Sequence, residues 1–566
     1  MITHFYQAYS INTTQGDCTL LAASKFRISD FNFRFSVFGF QFSISEFHYS
    51  LHCALNLMHM KKIILPCTIA AIAFIGCNKE TNIKTQTASN SQQLWTPEQI
   101  NNVIKDELAA NGEFRWSRAS DEMLWSAIMH SKDHIVSVGY KPFGEMNVED
   151  RLSKINISDN VWVTAKTEVM QLIYMNEKIK RPGIKFQSLE VWPEKKLPVM
   201  DVVIKDINTL KELRHSKLVR YVEPMGYSPE AFEEKTDGAA SSGSGCGGYN
   251  SAGNLIEGKD YTTIAPGCKR SWNYTEHNIP NAWTKTSGAG IKIMVIDTGE
   301  SPDQENMGSD FNQGFSSGRT IEKIYTLPGA GNANDNCGHG TAMSSTVAAP
   351  RGTDGNSCGV AYNCNLVVCK AVRDVLIDES DEIKGVADAY TYAADQPDIK
   401  ITSMSLGSII TYSQISDAIK YAYGKGKLMF CAGGTSSPFT AFWWGVIFPA
   451  TMNEVQAITG VNNKKYFTAC DDCHRGPQID FTIVMEQAKT GKHALCNPVI
   501  GDGPALVGGS SVATATFAGI AALVWSRNSA YTREDVVLKL QTTASEYPDK
   551  KYNLGYGNPD ADLATN

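Results

Sequence analysis

The feature that most limits the fold of this chain is a regular alternation of apolar and helical segments downstream of Ile291. Runs such as IKIMVID (291–297), CNLVVCKAV (364–372) and KLMFCAGG (427–434) are apolar almost throughout, and amphipathic segments such as DEIKGVADAYTYAADQ (381–396) separate them. Strands that are apolar on both faces belong in a sheet covered on both sides, and the alternation with helices makes that sheet parallel. The sequence therefore predicts a doubly wound α/β domain with functional residues at the carboxyl ends of its strands.

A second, smaller domain is predicted upstream, over residues 131–228. Strand-like and helical segments follow one another there in the order βαββαβ, from HIVSVGY (134–140) to KLVRYVEP (217–224). This order is typical of a small α+β domain of the ferredoxin-like type.

The segment MKKIILPCTIAAIAFIGC, residues 60–77, has the order of an export signal: two lysines, a short apolar run, a glycine and a cysteine. The apolar run is shorter than the about 20 residues that a transmembrane helix needs, so a signal peptide over 60–76 is predicted. FIGC resembles a bacterial lipoprotein processing site, with Phe74 where leucine is usual. The resemblance implies a lipid on Cys77 and an exported protein anchored to a membrane of the cell envelope.

Two further segments are assigned by exclusion. Residues 1–59 precede the predicted signal and are interpreted as a non-native upstream extension, because an export signal is read at the start of a chain. Residues 77–130 are expected to be a tether, since they open with the polar run NKETNIKTQTASNSQQ.

The cysteine content and the net charge indicate which cell compartment and which classes of function are compatible with this chain. Ten of the 14 cysteines lie between Cys246 and Cys496, in the part of the chain that export would place in an oxidising compartment, so several disulfides are expected without a defined pairing. The net charge of -7 and the absence of a basic stripe argue against a nucleic-acid-binding protein.

Residues 229–253 form a predicted linker between the small domain and the doubly wound domain at 254–566. The segment is rich in glycine, serine and alanine, which is typical of flexible, accessible chain. It contains a formal G-x-G-x-x-G at Gly243, Gly245 and Gly248, but no strand precedes it and no helix follows, so a dinucleotide site is not predicted.

Three polar residues stand where function is expected. Asp297 ends a predicted strand in VIDTG, His339 begins a predicted helix in GHGT, and Ser511 lies in the first turn of the helix that follows GGS. Each alone has a structural explanation, such as a turn former or an N-cap. Together they form a hydrolytic triad in the chain order Asp, His, Ser, whereas an α/β-hydrolase would place the serine first, within G-x-S-x-G.

The segments VIDTG, GHGT, SMSLG and GGSSVA together resemble the triad motifs and the substrate-binding strand of subtilisin-like serine peptidases. The resemblance covers about residues 282–564, and LVRYVEP resembles the last strand of the inhibitory propeptide of these enzymes. It implies that Asp297 orients the base, His339 acts as general base and acid, and Ser511 attacks the peptide carbonyl.

The same resemblance assigns further roles. Ser405, Leu406 and Gly407 would form an edge strand that pairs with a protein or peptide substrate, as extended peptides bind by strand addition. Ser510 would serve the turn before the nucleophile. The small domain would act as an intramolecular inhibitor until the linker is cut near residues 238–245. No cofactor is required; structural calcium is common in the family, but no ligand loop and no zinc-type cluster is readable here.

The chain departs from the family pattern next to the oxyanion site. Gly434 stands where the family usually has an asparagine that donates to the oxyanion, and loss of one such donor costs about 10²- to 10³-fold in kcat, a magnitude measured in a member of this family. We expect Thr435, Ser436 or a backbone N–H group to supply the missing donor. Ala515 replaces the usual proline after the nucleophile and removes no catalytic group.

Two alternatives remain open at this point. CDDCH, residues 470–474, matches the attachment motif of c-type haem, although a disulfide is favoured because the match is single and no second axial ligand is apparent. The main prediction is an exported serine endopeptidase made as a self-processed precursor. The alternative is a weak or inactive peptide-binding lipoprotein of the same fold, for which Gly434 is the main support.

Overall fold

The computed structural model of this 566-residue chain describes residues 93–229, 245–247, 249–437, 439–464 and 468–566, and the backbone of 33–37 and 40–44. The predicted signal peptide at 60–76, Cys77 and the polar start of the predicted tether lie outside the described residues. The chain divides into two compact units, Met1–Ser89 and Asn90–Asn566.

The first unit contains one described element, an antiparallel pair of strands. Strand β1 (Phe33–Val37) pairs with β2 (Phe40–Ile44), with Phe33 opposite Ile44. No fold was predicted for this phenylalanine-rich segment.

The second unit begins with a small α+β region. Its elements are, in chain order, α1 (Pro97–Asn111), β3 (Phe114–Arg115), α2 (Asp121–His130), β4 (Ile135–Tyr140), α3 (Asn160–Lys180), β5 (Glu190–Trp192), β6 (Val199–Val203), α4 (Ile207–His215) and β7 (Val219–Pro224). The strands form an antiparallel sheet in the order β5-β6-β4-β7. From β4 to β7 the chain runs βαββαβ, the order that the sequence predicts.

The prediction of a tether over residues 77–130 is wrong for its described part, because α1 and α2 are folded. Ile100, Ile104 and Leu108 recur at a spacing of four in α1 and are fully or almost fully buried. Thr96 and Gln99 close the start of α1 with a capping box, and Gly112 ends it in the left-handed conformation. The polar segment before residue 93 obscured this apolar stripe in the sequence.

The rest of the second unit is an α/β domain. Its elements are β8 (Tyr261–Thr263), β9 (Lys269–Ser271), α5 (Ile279–Ala282), β10 (Lys292–Asp297), β11 (Ile321–Tyr325), α6 (His339–Ala348), β12 (Asn365–Lys370), α7 (Ser380–Asp395), β13 (Ile399–Met404), β14 (Ile410–Thr411), α8 (Ser413–Gly424), β15 (Leu428–Ala432), β16 (Gln456–Asn462), β17 (Ile479–Glu486), β18 (Ala494–Cys496), β19 (Ala505–Val507), α9 (Gly509–Ser526), α10 (Arg533–Thr542) and α11 (Ala561–Ala564).

A seven-stranded parallel sheet is the centre of this domain, in the order β11-β12-β10-β13-β15-β16-β17. Alternate residues of β10 enter opposite cores: Met294 and Ile296 pack with the α7 and α8 side, and Ile293 and Val295 with the α6 and α9 side. The predicted doubly wound parallel sheet is therefore confirmed, and its apolar strands are apolar because both faces are covered.

The order of strands also fixes where a site can form. The chain places β12 on one side of β10 and then crosses to β13 on the other side. The connections that leave the carboxyl ends of these strands diverge and open a crevice, which is where ligands bind in sheets of this kind. Asp297 is the last residue of β10, at this crevice.

Helix α9 is the central core helix of the domain. Its Phe517 is fully buried, with ring centroids 5.1 Å from Phe430 and 4.6 Å from Phe481. Its length and apolar composition alone would allow it to cross a membrane, but 83% of it is buried inside the fold. Its apolar character is explained by the protein core.

The small α+β region docks on α7 and α8 through polar contacts. Arg220 of β7 pairs with Asp417 of α8 at 2.5 Å, and both side chains are almost completely buried. Glu223 accepts hydrogen bonds from the Ser413 N–H (2.7 Å) and hydroxyl (2.6 Å) at the start of α8. The Glu223 side chain thus satisfies an N–H group at the start of α8 that has no partner within the helix.

Candidate active site

A buried pair of Asp297 and His339 is the centre of the candidate site. The His339 Nδ1 atom lies 2.8 Å from Asp297 Oδ1, and the two side chains are 4% and 0% exposed. Because a carboxylate can only accept, Nδ1 carries the proton and Nε2 is left as the acceptor. The structure thus brings together two of the three residues that the sequence singles out, one from β10 and one from the start of α6.

Asp335 fixes the position of His339. Its Oδ1 accepts from the N–H groups of Cys337 (2.9 Å) and Gly338 (2.8 Å), and its Oδ2 accepts from the N–H (2.9 Å) and hydroxyl (2.8 Å) of Thr341. The carboxylate therefore closes the start of α6 on both sides of the histidine. Sequence reasoning did not select Asp335; its signal was an aspartate four residues before His339 at a predicted helix start.

Thr298 links the two parts of this arrangement. Its N–H donates to Asp297 Oδ1 at 2.8 Å, and its hydroxyl donates to Asp335 Oδ1 at 2.9 Å and accepts from the Gly340 N–H at 2.8 Å. The end of β10 and the first turn of α6 are thereby held as one hydrogen-bonded unit. Thr298 was also not predicted to contribute.

Ser511 lies in the first turn of α9, next to α6. Its N–H is one of the first four of the helix, which have no partner within the helix, and its carbonyl accepts a 3.0 Å hydrogen bond from the Ser405 hydroxyl. Among the described residues, no hydrogen bond joins the Ser511 hydroxyl to His339. The third predicted residue is half-buried at the same end of the sheet, and its hydroxyl is not engaged with the base in this structure.

The predicted turn role of Ser510 is wrong. Gly508 is the N-cap of α9 and Gly509 has φ +76°, so glycines alone make the turn. Ser510 is buried, and its hydroxyl oxygen accepts the Gly434 N–H at 3.1 Å. It ties the turn before Ser511 to the end of β15.

Gly434 and the two residues after it line this connection. The Thr435 and Ser510 hydroxyl oxygens are 3.3 Å apart. The Ser436 hydroxyl lies 3.4 Å from His474 Nε2, and His474 Nδ1 lies 2.7 Å from the Gly445 carbonyl. Nδ1 must donate to that carbonyl, so Nε2 accepts from Ser436, whose proton is thus committed.

The electrostatic setting of the two histidines differs. Burial lowers the pKa of His474 to about 4, so it is neutral and acts as a structural acceptor. Burial would also lower the pKa of His339, but the charge and hydrogen bond of Asp297, aided by Asp335 and Asp374, raise that pKa above its ordinary value. The two imidazoles are thereby given different roles by their neighbours.

The predicted substrate edge is already paired within the chain. The Gly407 N–H donates to the Val375 carbonyl at 3.2 Å, and the Gly407 carbonyl accepts the Ile377 N–H at 2.9 Å. Leu376 and Gly407 form a parallel bridge. Residues 375–377 thus take the backbone groups of Gly407 that a bound peptide would use.

The described end of the linker lies beside the histidine. Cys246 and Cys337 form a disulfide, and the Tyr249 ring lies edge-on to His339 with centroids 6.2 Å apart. The Cys337 carbonyl also accepts the Gly247 N–H at 2.8 Å. This disulfide, whose pairing the sequence left open, anchors the start of the α/β domain two residues from His339.

A second disulfide joins Cys470 and Cys473 in the CDDCH motif. Both sulfurs are consumed by that bond, and His474 is held by Gly445 and Ser436. The motif therefore serves the architecture behind Gly434, as the disulfide interpretation predicts. The other cysteines of the described residues are Cys268, Cys358, Cys364, Cys369, Cys431 and Cys496, which are buried free thiols.

Metal binding is not indicated where it can be assessed. No group of three or more His, Cys, Asp or Glu side chains in the described part of the chain is arranged to hold a metal ion.

The fold and the site together define the class. A doubly wound parallel sheet with an Asp–His pair at its crevice and a serine on the adjoining helix start is the subtilisin-like α/β arrangement. Residues 288–558 match the model of the Subtilase family.

Two sequence relatives support a peptidase at low identity. The chain is 29% identical to a subtilisin of Bacillus sp. (strain TA39) over 313 residues, which cover 53% of this chain and 72% of that protein. It is 27% identical over 289 residues to the halolysin-like extracellular serine protease Nep of Natrialba magadii, covering 51% and 50%. The crystal structure of MycP1 from Mycobacterium smegmatis, at 20% identity, covers 54% of this chain and 88% of its own, with a TM-score of 0.41.

The pKa of His339 can be tested directly. In the Ser511→Ala protein with ¹³C-labelled histidine, the His339 resonance should titrate above the ordinary value of about 6.5. Asp297→Asn should lower the pKa, because the opposing charge is lost while burial remains. His474 serves as an internal control that stays neutral in both proteins. A His339 pKa that is unchanged by Asp297→Asn would contradict the geometry.

Proposed function

We propose that this protein is an exported serine endopeptidase that hydrolyses peptide bonds with Asp297, His339 and Ser511 and is made as a self-processed precursor. The observation that carries the proposal is the buried hydrogen bond between Asp297 and His339, next to a serine on the unpaired N–H end of a helix. A buried imidazole with a free Nε2 and an oriented Nδ1 has the properties of a general base.

The reaction follows from these positions. His339 Nε2 accepts the proton of Ser511 as the hydroxyl oxygen attacks the peptide carbonyl. The imidazolium so formed is stabilised by Asp297 and then donates the proton to the leaving amine, which leaves an acyl-serine. A water molecule, deprotonated by the same nitrogen, hydrolyses the acyl-serine and regenerates the hydroxyl.

The oxyanion is stabilised by the Ser511 N–H and the Thr435 hydroxyl. The first is an unpaired donor at the positive end of α9. Thr435 is favoured over Ser436 because its hydroxyl lies at the nucleophile turn, whereas Ser436 donates to His474. Thr435 thus replaces the donor that Gly434 cannot supply.

The pairing of Gly407 within the chain supports a precursor whose groove is closed. Residues 375–377 occupy the edge of Gly407, so a substrate can pair with this edge only after that segment moves away. The end of the small domain contacts the residue that follows this segment, because the Ser228 hydroxyl donates to the Asp378 carboxylate. The small domain is therefore an inhibitor that supports closure from outside the groove as well as by docking on α8.

Export and anchoring complete the proposal. The signal at residues 60–76 would direct export, and a lipid on Cys77 would hold the precursor at a membrane through the small domain. Cutting the linker near residues 238–245 would leave Cys246 on the catalytic side, still bonded to Cys337. The catalytic domain is then released from the membrane once the docking contacts break.

Ser511 provides the primary test of the peptidase. Expressed from Met60, the wild-type protein should cut its own linker and react with a fluorophosphonate probe, and Ser511→Ala should do neither. Ser510→Ala is the matched control, since the adjacent hydroxyl is buried against Gly434 and should not take the label. A precursor that is cut equally in Ser511→Ala, under conditions free of other proteases, would refute self-processing. Absence of labelling in the wild-type protein would refute an activated serine.

The oxyanion assignment distinguishes two neighbouring hydroxyls. Thr435→Ala should lower kcat by about 10²-fold or more with little change in KM, as expected for a contact made in the transition state. Ser436→Ala should leave kcat within about threefold, because its proton is committed to His474. Equal kcat values for the wild type and Thr435→Ala would contradict the assignment of Thr435 as the second oxyanion donor beside the Ser511 N–H.

Docking of the small domain should depend on pH. Burial raises the pKa of Glu223 to about 7, although Ser413 and Arg115 oppose this shift and Asp417 reinforces it. Burial likewise raises the pKa of Asp201 to about 7, although the charge of Lys384 and a hydrogen bond from Gln414 act to lower it. A released, solvated carboxyl would titrate near its ordinary value, so the docked state binds protons more strongly.

The direction of the pH dependence follows from this difference in pKa between the docked and the released state. Docking should be tightest below about pH 4.5, where both carboxyl groups are protonated in both states. Between about pH 4.5 and 7 the docking constant should fall by up to about tenfold per pH unit for each carboxyl group, and above pH 7 it should stay constant. Dissociation of the processed complex, measured by size-exclusion chromatography from pH 5 to 8, should show this trend. Glu223→Gln combined with Asp201→Asn should flatten it, and the exposed Glu168→Gln should not. Tighter docking at pH 8 than at pH 5 would contradict the assignment.

A further inference from the structure

The Ile447 side chain lies against both Gly407 and Gly434. A Cβ atom placed on Gly407 would lie 2.2 Å from Ile447 Cδ1, and one placed on Gly434 would lie 3.1 Å from Ile447 Cγ1 and 2.9 Å from His474 Nδ1. Both glycines are thus in close contact with the same isoleucine, which is only 9% exposed. Ile447 therefore lies between Gly407, where the substrate backbone is proposed to pair, and Gly434, which follows β15.

Ile447 is held rigidly in this place. Its N–H donates to the Gly433 carbonyl at 3.0 Å. The next residue, Phe448, exchanges two backbone hydrogen bonds with Ser408, at 2.8 and 3.0 Å. The segment is thereby joined to the ends of both β13 and β15, and a neighbouring side chain cannot be accommodated by a simple loop movement.

The position of Ile447 affects the substrate residue whose carbonyl group Ser511 attacks. The carbonyl oxygen of this substrate residue must reach the Ser511 N–H and the Thr435 hydroxyl. The substrate backbone that precedes it must pair with Gly407. The side chain of the attacked residue must then enter the space between Gly407 and Gly434. We infer that Ile447 is a specificity-determining residue that restricts this side chain to glycine, alanine or serine.

This inference rests on the proposed peptidase function and adds the substrate class. It agrees with an independent feature of the sequence. The linker proposed to be cut during self-processing reads GAASSGSG over residues 238–245 and contains only small residues. A cut after any of them presents a side chain that fits beside Ile447.

Cleavage profiles of variants provide the test. With a set of peptides that differ only in the residue before the scissile bond, the processed wild-type enzyme should prefer alanine over phenylalanine by about 100-fold or more in kcat/KM. Ile447→Val should reduce this ratio slightly. Ile447→Ala should reduce it by at least about tenfold, mainly through faster cleavage after leucine and phenylalanine.

The control is Val446→Ala, which removes two carbon atoms, as against three in Ile447→Ala, from the adjacent buried residue, whose side chain lies toward Gly476. It should leave the ratio unchanged. Fluorophosphonate labelling rates show whether each variant keeps a functional serine. The amino terminus of the self-processed wild-type protein, which requires no variant, should follow a glycine, alanine or serine.

The outcomes separate the two proposals. Efficient cleavage after large residues by the wild type, or a ratio that is the same in Ile447→Ala and the wild type while labelling persists, overturns the role of Ile447 and leaves the peptidase intact. Absence of both labelling and cleavage in the wild type overturns the peptidase and this inference together.

Discussion

The hydrogen bond between Asp297 and His339 is the interaction on which the rest of this protein depends. It joins the end of β10 to the start of α6 in an environment from which water is excluded, where an unpaired charge or polar group is costly. Asp335 and Thr298 offset that cost by satisfying the backbone around the pair. Asp297 Oδ2 has no hydrogen-bond partner among the described residues, so the carboxylate is directed toward the imidazole through Oδ1.

The surrounding architecture controls access to this pair. Gly407 is paired with residues 375–377, and Ile447 lies beside it. The small domain docks on α8, and its Ser228 contacts Asp378. The backbone pairing of Gly407 can be exchanged for pairing with a peptide, whereas the packed Ile447 side chain remains. The proposed enzyme is therefore folded with its base oriented and its groove closed, and processing is proposed to open access to the base.

The amino-acid sequence predicted those features that depend on the spacing of apolar residues and on the chain order of short motifs. The apolar strands indicated the parallel sheet because both faces of β10 are buried, and the order Asp, His, Ser indicated a triad because each residue follows a distinct local motif. Contacts between distant loops carry no such signal. The Cys246–Cys337 pairing, the bridge of Leu376 to Gly407 and the hydrogen bond of Ser510 to Gly434 depend on where the fold brings irregular segments. Helix α1 was missed for another reason, since three buried apolar residues in a polar segment were outweighed by composition.

A peptidyl chloromethyl ketone ending in alanine tests the central claim most directly, because it reports whether His339 and Ser511 act on one carbonyl. The account predicts that the processed enzyme forms a single adduct in which His339 Nε2 is alkylated and Ser511 is bonded to the former carbonyl carbon, as seen in a crystal structure. It also predicts that residues 375–377 have left Gly407 and that the inhibitor backbone has replaced them. An inhibitor that modifies neither residue, or one that modifies His339 while Ser511 stays out of bonding distance, would contradict the account.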